Sequence, residues 1–244
     1  MTEREHTENI PLYAKNPFEL RVNLGRDIPE TDVRTALATG DMGFLHSFTT
    51  GSTVDGPGVR VVAWTTGCQF RCLYCHNPDT WTMSNGIPIT IEKAAAELRK
   101  YRTGLKAMSG GFTLSGGEPL MQDRFAVKLF AAARSMGIHT ALDTNGSLGG
   151  RLTDAELETI DLVLLDIKSW DTERHRRLTG MDVCSSPVLR SPLSRLQKAC
   201  LGTICIGSGV HRRFREHSRD CKIRCQLRQC RTSGRSTVSS NGPI

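Results

Sequence analysis

Gly67-Cys68-Gln69-Phe70-Arg71-Cys72-Leu73-Tyr74-Cys75-His76-Asn77 is the stretch that decides how this chain is read. It sets three cysteines in the spacing C-x3-C-x2-C, directly after a largely apolar run over residues 59–64. Three thiolates on one tight loop can hold three irons of a four-iron, four-sulfur cube, and the fourth iron is then open to a small molecule. Cluster ferredoxins and structural zinc sites both use four protein ligands, and no fourth cysteine lies nearby. His76 is adjacent and could complete a Cys3His zinc knuckle, although zinc sites usually draw two ligand pairs from well-separated loops.

Working outward, apolar β-branched runs alternate with amphipathic segments from Gly43 onward. Residues 59–65 read as a buried strand, and the cysteine loop follows its C-terminal end, where α/β architectures place their active sites. Thr90 is a candidate N-cap for a helix that starts around residue 88, with Ile91, Ala94, Ala95 and Leu98 on one face. Residues 112–115 form a second strand. A helix over 124–136 follows, with Phe125, Leu129 and Ala133 at helical spacing and Gly137 at its end. Residues 139–143 make a third strand, 154–160 a short helix, and 162–167 the clearest buried strand in the chain. Strand–helix alternation with buried strands means βαβ units. Four such units are readable, and they stop near Gly180.

Polar groups collect at the ends of these strands. In Thr113-Leu114-Ser115-Gly116-Gly117-Glu118-Pro119, two glycines let the backbone approach a ligand closely, and Glu118 adds an acceptor suited to an ammonium. A plain strand-to-helix turn would look the same. Asp143-Thr144-Asn145-Gly146 and Asp166-Ile167-Lys168 place charges that are costly to bury without partners; turn capping and a structural ion pair are the simpler readings. Asp55 and Arg60 flank a Gly-Pro-Gly turn and read as a solvent-facing pair, while Trp64 and Trp81 read as packing.

The cysteine spacing, with Tyr74 before the last cysteine, resembles the radical S-adenosylmethionine (SAM) family. The flanking Thr53-Val54-Asp55-Gly56-Pro57-Gly58-Val59-Arg60 and Cys75-His76-Asn77-Pro78-Asp79-Thr80-Trp81 resemble its members that activate glycyl-radical enzymes. The resemblance covers residues 43–180 and implies an α/β fold, a partial (β/α)6 radical SAM barrel. It implies a [4Fe-4S] cluster on Cys68, Cys72 and Cys75 as the catalytic centre, with SAM chelating the open iron. Gly116, Gly117 and Glu118 would take the methionyl amine. Tyr74 and His76 would be further SAM contacts, and Asp166, Ile167 and Lys168 would line the ribose and carboxylate side. Asp143, Thr144, Asp166 and the Leu164 carbonyl would surround a monovalent cation. The implied activity is that of an oxidoreductase whose 5′-deoxyadenosyl radical takes hydrogen from a glycine of pyruvate formate-lyase. Flavodoxin or ferredoxin would be the reductant, and the segment around Asp55 and Arg60 would seat the partner's glycine loop. Another glycyl-radical partner, a small-molecule substrate and an inactive fragment are the alternatives. On this reading Gly117→Val blocks SAM binding and leaves the cluster intact.

The bulk properties set the frame. A chain of 244 residues with 38% hydrophobic composition suits one packed domain. No apolar run reaches membrane-spanning length, and the polar N-terminus has no secretory h-region. A cytoplasmic, reducing compartment is expected, where nine cysteines need not pair. The net charge of +7 resides in residues 181–244, which hold twelve Lys and Arg against three acids; residues 1–180 hold twenty against twenty-two. That charge is not on a recognisable nucleic-acid motif, so neither a nucleic-acid nor a membrane partner is expected. The expected division is a polar extension over 1–42, helical only around 32–39, a radical SAM core over 43–180, and a basic, cysteine-rich tail over 181–244. Low apolar content makes the tail read as disordered, leaving the edge of strand 162–167 uncovered and prone to aggregation. Back-translating residues 201–210 in a shifted frame yields WVRYVLVPG, similar to the family's fifth strand, so a frameshift near residues 181–200 is the expected origin of the tail.

Overall fold

The computed structural model describes residues 33–169, 171–181, 200–206 and 210–216. Most of the N-terminal extension and most of the tail, including Cys184, Cys221, Cys225 and Cys230, lie outside the described residues. The chain opens with α1 (Val33–Thr39) and β1 (Met42–Ser52), followed by β2 (Arg60–Thr65), β3 (Ile87–Thr90), α2 (Ile91–Arg99) and α3 (Arg102–Ala107). Then come β4 (Gly111–Gly116), α4 (Asp123–Ser135), β5 (His139–Thr144), α5 (Asp154–Leu157), β6 (Leu162–Ile167) and α6 (Thr172–Thr179). Two strands close the described chain, β7 (Cys200–Ile206) and β8 (Val210–Glu216).

All eight strands form one open sheet in the order β3-β1-β2-β4-β5-β6-β7-β8. The five from β2 to β7 are parallel, and an antiparallel partner flanks each end. The βαβ units read from the alternation of elements are present, in the α/β partial barrel that the resemblance implies. The pleat sorts the strand residues onto two faces. Val61, Phe112, Leu114, Leu142 and Val163 join the main core with Phe125, Leu129 and Phe130 of α4. Each such large side chain contributes about 1.5–3 kcal/mol by leaving water. The alternate residues Ala141, Leu162 and Leu164 form a small separate cluster. Further along that same face, at the C-terminal strand ends, the two-residue period brings Ser115, Asp143 and Asp166.

Local expectations hold with shifts of one to three residues. Thr90 caps α2 by accepting from the Lys93 N–H at 3.3 Å, but residues 87–90 before it are strand, hydrogen-bonded along β1. Thr153 and Glu156 form a reciprocal capping box that starts α5, which ends at Leu157 rather than at residue 160. Helix α3 has no apolar stripe long enough to read, since Leu105 is its one buried residue. The expectation for the tail is corrected: β7 pairs with β6 from Val163–Cys200 to Ile167–Ile204, so the edge of β6 is covered. The reason lies in Cys200-Leu201-Gly202-Thr203-Ile204-Cys205-Ile206, a β-prone run that an average over the whole basic tail conceals. No helix among the described residues is long and apolar enough to cross a membrane.

Candidate cluster and cofactor site

The cysteine loop leaves the end of β2 and is tied down on three sides. Toward the 3-10 helix Pro78–Trp81, the Gly67 and Cys68 N–H groups donate to the carbonyls of Thr80 (2.8 Å) and Trp81 (3.1 Å). Toward the turn after β4, Gly67 accepts from the Glu118 N–H at 2.8 Å. Toward α6, the Arg71 and Leu73 N–H groups donate to Thr179 (2.8 Å) and Leu178 (2.9 Å). Phe70 is buried under the loop, whereas Leu73 is 78% exposed. The Arg71 guanidinium lies 5.3 Å from the ring centre of Trp81, so Trp81 does pack as expected.

All three cysteines are free thiols, Cys72 buried and the other two half-buried. Burial pushes the Cys68 thiol up to about 12, and the neighbouring Cys72 and Cys75 add to the rise. Burial also raises Cys72, with Lys168 opposing it. The thiols are therefore near enough to feel one another, and the raised Cys68 and Cys72 give up their protons when a metal takes their place. Among the described residues no three Cys, His, Asp or Glu side chains converge as on a single ion, and His76 is exposed. A cube asks for something else, one thiolate per corner iron, and three free thiols on one loop suit it.

The glycine turn packs onto this loop. A Cβ on Gly116, whose φ is +118°, would lie 2.2 Å from the Thr65 carbonyl oxygen; one on Gly117 would lie 2.4 Å from that of Gly67. The close approach read from the sequence is thus made to the protein's own backbone. Glu118 is wholly buried. Its carboxylate accepts from the Leu120 N–H (3.1 Å), the Thr144 hydroxyl (2.8 Å) and the Asn145 N–H (2.9 Å), so protein donors take up the acceptor that the sequence offers to an ammonium.

Burial raises the Glu118 carboxyl to about 7 despite those donors. The folded chain then holds a proton that the unfolded chain has released, so unfolding frees a proton between about 4.5 and about 7. Stability from this group is complete below that window and is lost as pH rises through it. The melting temperature of the chain should fall across the window, and Glu118→Gln should flatten that part of the profile. A wild-type melting temperature that rises through the window in parallel with the variant's would contradict the assignment.

Across the strand ends, the Ser115 hydroxyl donates to Asp143 at 2.8 Å. Burial and the nearby Asp166 push the Asp143 carboxyl up to about 7. Asp166 pairs closely with Lys168. The Lys168 ammonium lies 5.6 Å from the Tyr74 ring centre, and the Tyr74 hydroxyl is 3.5 Å from the Lys168 carbonyl. The structure thus gathers Tyr74, Asp143, Asp166 and Lys168, with Ser115, beside the cysteine loop. Thr144 turns its hydroxyl to Glu118, on the opposite side of the pleat; the side chain of Ile167 lies outside the described residues.

Arg60 departs from its expected place. It is fully buried rather than paired at the surface, donating to the Thr113 hydroxyl (3.0 Å) and the Phe112 carbonyl (2.6 Å), because its strand position points inward. Asp55 contributes its backbone carbonyl, which accepts from Thr113 at 2.7 Å. Sequence reasoning missed Ser115, which the period of β4 could have placed beside Asp143. It also missed Gln69, whose amide donates to Ser147 and to Asn145, and His175, buried against Phe70. The spacing of His175 and Thr179 on α6 was the available signal for the last.

A parallel α/β sheet with a three-thiol loop at the C-terminal end of β2 defines a cluster-binding class of protein. Residues 54–180, just over half of the chain, match the family described as 4Fe-4S single cluster domain, and the chain belongs to that family. It is 44% identical over 142 residues to the pyruvate formate-lyase 1-activating enzyme of Escherichia coli strain K12, a match covering 57% of this chain and 58% of that protein. It is 45% identical over 145 residues to the pyruvate formate-lyase-activating enzyme of Staphylococcus aureus strain NCTC 8325, with the same coverage. The matched stretch therefore spans less than two thirds of either relative. Among solved structures, QueE from Escherichia coli aligns with a TM-score of 0.41 at 13% identity, over 69% of this chain and 88% of that one. Streptococcus suis SuiB aligns with a TM-score of 0.42 at 17% identity, over 55% and 30%. Both likenesses are too loose to carry an assignment.

Proposed function

We propose that this chain is the core of an oxidoreductase, a [formate-C-acetyltransferase]-activating enzyme that creates the glycyl radical of pyruvate formate-lyase. The observation that carries the reading is the loop of three free cysteines, fixed beside the polar strand ends of β4, β5 and β6. The names of the relatives at 44% and 45% identity support it. Cys68, Cys72 and Cys75 would hold a [4Fe-4S] cluster, which with SAM would supply radical hydrogen-abstraction chemistry for the partner's glycine.

The protein's part is positioning, because the radical chemistry belongs to the cofactors. Cys68, Cys72 and Cys75 hold three corners of the cube and leave the fourth for SAM. Gly116 and Gly117 seat their turn on the cysteine loop for the methionyl amine, and Glu118 locks that turn to Asn145. Tyr74 and His76, with Asp166, Ile167 and Lys168, are the remaining SAM contacts. Two neighbouring carboxylates, Asp143 and Asp166, suit a monovalent cation, with Thr144 directly after Asp143 in the chain. Flavodoxin or ferredoxin is the proposed electron donor, in a cytoplasmic, reducing compartment, with neither nucleic acid nor membrane as partner. Residues 1–42, 43–180 and 181–244 are the proposed extension, catalytic core and tail.

Anaerobic reconstitution of the full chain with iron and sulfide should give about four irons per chain. Reduction with SAM present should then release methionine and 5′-deoxyadenosine, and added pyruvate formate-lyase should acquire a glycyl radical by electron paramagnetic resonance. A stoichiometric zinc site that survives reconstitution, with no SAM cleavage, would overturn the reading. A radical formed on a different glycyl-radical enzyme alone would move the partner.

A further inference from the structure

We infer that the C-terminal turn of α6 is a clamp that fixes the cysteine loop around Cys72, with His175 as its positioning residue. The inference rests on the proposed cluster, but its geometry belongs to the protein alone. The last carbonyls of any α-helix have no partner within the helix. In α6 two of them, Leu178 and Thr179, accept the N–H groups of Leu73 and Arg71. Those residues flank Cys72, so helix end and loop satisfy each other across the middle cysteine. How far solvent reaches a cluster is one of the levers that set its reduction potential. The clamp therefore fixes the loop and, through it, the burial of Cys72.

His175 sits where the two meet. It is 6% exposed, and its ring meets Phe70 edge-on, with centres 5.5 Å apart at 83°. Its Nδ1 lies 2.9 Å from the Met181 carbonyl, so that nitrogen carries a proton and donates. Thr179, wholly buried, donates its hydroxyl to the His175 carbonyl at 2.8 Å and accepts from the Met181 N–H at 3.1 Å. Gly180, at φ +75°, ends the helix in the left-handed conformation that glycine tolerates. One side chain thus braces both the helix end that supplies the carbonyls and the aromatic anchor between Cys68 and Cys72.

The test uses the full chain. His175→Asn keeps a donor for Met181 and removes the ring; His175→Phe keeps the ring and removes the donor; His175→Ala removes both. In metal-free protein, hydrogen exchange at Arg71 and Leu73 should be about tenfold faster or more in the alanine variant, with β4 and β5 unchanged. The other two variants should fall between. After reconstitution to the wild-type iron count, the alanine variant should show a shifted cluster midpoint potential. Unchanged exchange at Arg71 and Leu73 would overturn the clamp, and so would equal acceleration throughout β4 and β5, which would make His175 a general stability residue. An unchanged potential at full iron content would remove the clamp's influence on the cluster. Failure of the wild type to cleave SAM would sink the functional reading and leave the exchange result standing.

Discussion

Cys72→Ala removes cluster assembly while leaving the fold in place. After anaerobic reconstitution, bound iron should drop from about four per chain to about one or fewer, and reductive SAM cleavage should fall to background. The expectation follows from where Cys72 sits. It is the middle cysteine and the most buried of the three, and the two remaining thiolates would not hold a cube against chelators. The backbone hydrogen bonds of Arg71 and Leu73 to α6 survive the change, so the loop stays placed and only the donor is lost. Trading a small buried thiol for a methyl costs about 1 kcal/mol. Near-native melting of the metal-free variant, beside complete loss of iron, is the expected pairing. Leu73→Ala is the control, because that side chain is solvent-exposed, and it should bind iron as the wild type does. A Cys72→Ala chain that retains a full [4Fe-4S] cluster would exclude Cys72 as a ligand.

Gly117→Val should damage cluster binding and stability together, contrary to the sequence-based expectation of a loss confined to SAM. Any Cβ at this position would come within 2.4 Å of the Gly67 carbonyl oxygen and 3.0 Å of that of Thr80. Both are backbone atoms and cannot rotate away, so either the turn or the cysteine loop must shift. Overpacking of this kind typically costs about 1–3 kcal/mol. The displaced atom belongs to the residue directly before Cys68, which couples the strain to the first ligand. Melting of the metal-free protein and iron per chain after reconstitution should both fall. A Gly117→Val chain with wild-type melting and about four irons would mean that this contact yields more easily than its geometry allows.

Much of the architecture was legible because burial imposes simple periods. The run Leu162-Val163-Leu164-Leu165-Asp166-Ile167 is apolar on both faces, as a strand covered on both sides must be, and β6 has these bounds. The cysteine spacing and the Gly-Gly turn were legible because their chemistry needs particular residues at particular distances in the chain. What could not be read is direction. Arg60 looked like a surface residue because arginine usually is one; only the strand register shows that it runs beneath β4 to Phe112 and Thr113. Glu118 looked like a ligand acceptor, and its donors, Thr144 and Asn145, come from a strand end more than twenty residues away. The clamp at α6 was hidden for the same reason, since it consists of backbone groups, which every sequence contains. In the tail, composition averaged over many residues masked five that pair with β6.

The distances along the chain between the cysteine loop and its anchors have a consequence for the order of events during synthesis. Thr80 and Trp81 leave the ribosome almost with the loop, but the acceptors for Arg71 and Leu73 are Thr179 and Leu178, more than a hundred residues later. Chains grow at roughly 5–20 residues per second, so the three thiols spend several seconds in a loop that only its near anchors hold. Throughout that interval they are open to oxidation, to stray metal and to one another. The loop acquires its last two backbone partners only after α6 has formed. On the proposed function, cluster loading thus belongs to the finished core, and a reducing environment would protect the chain before it serves the chemistry.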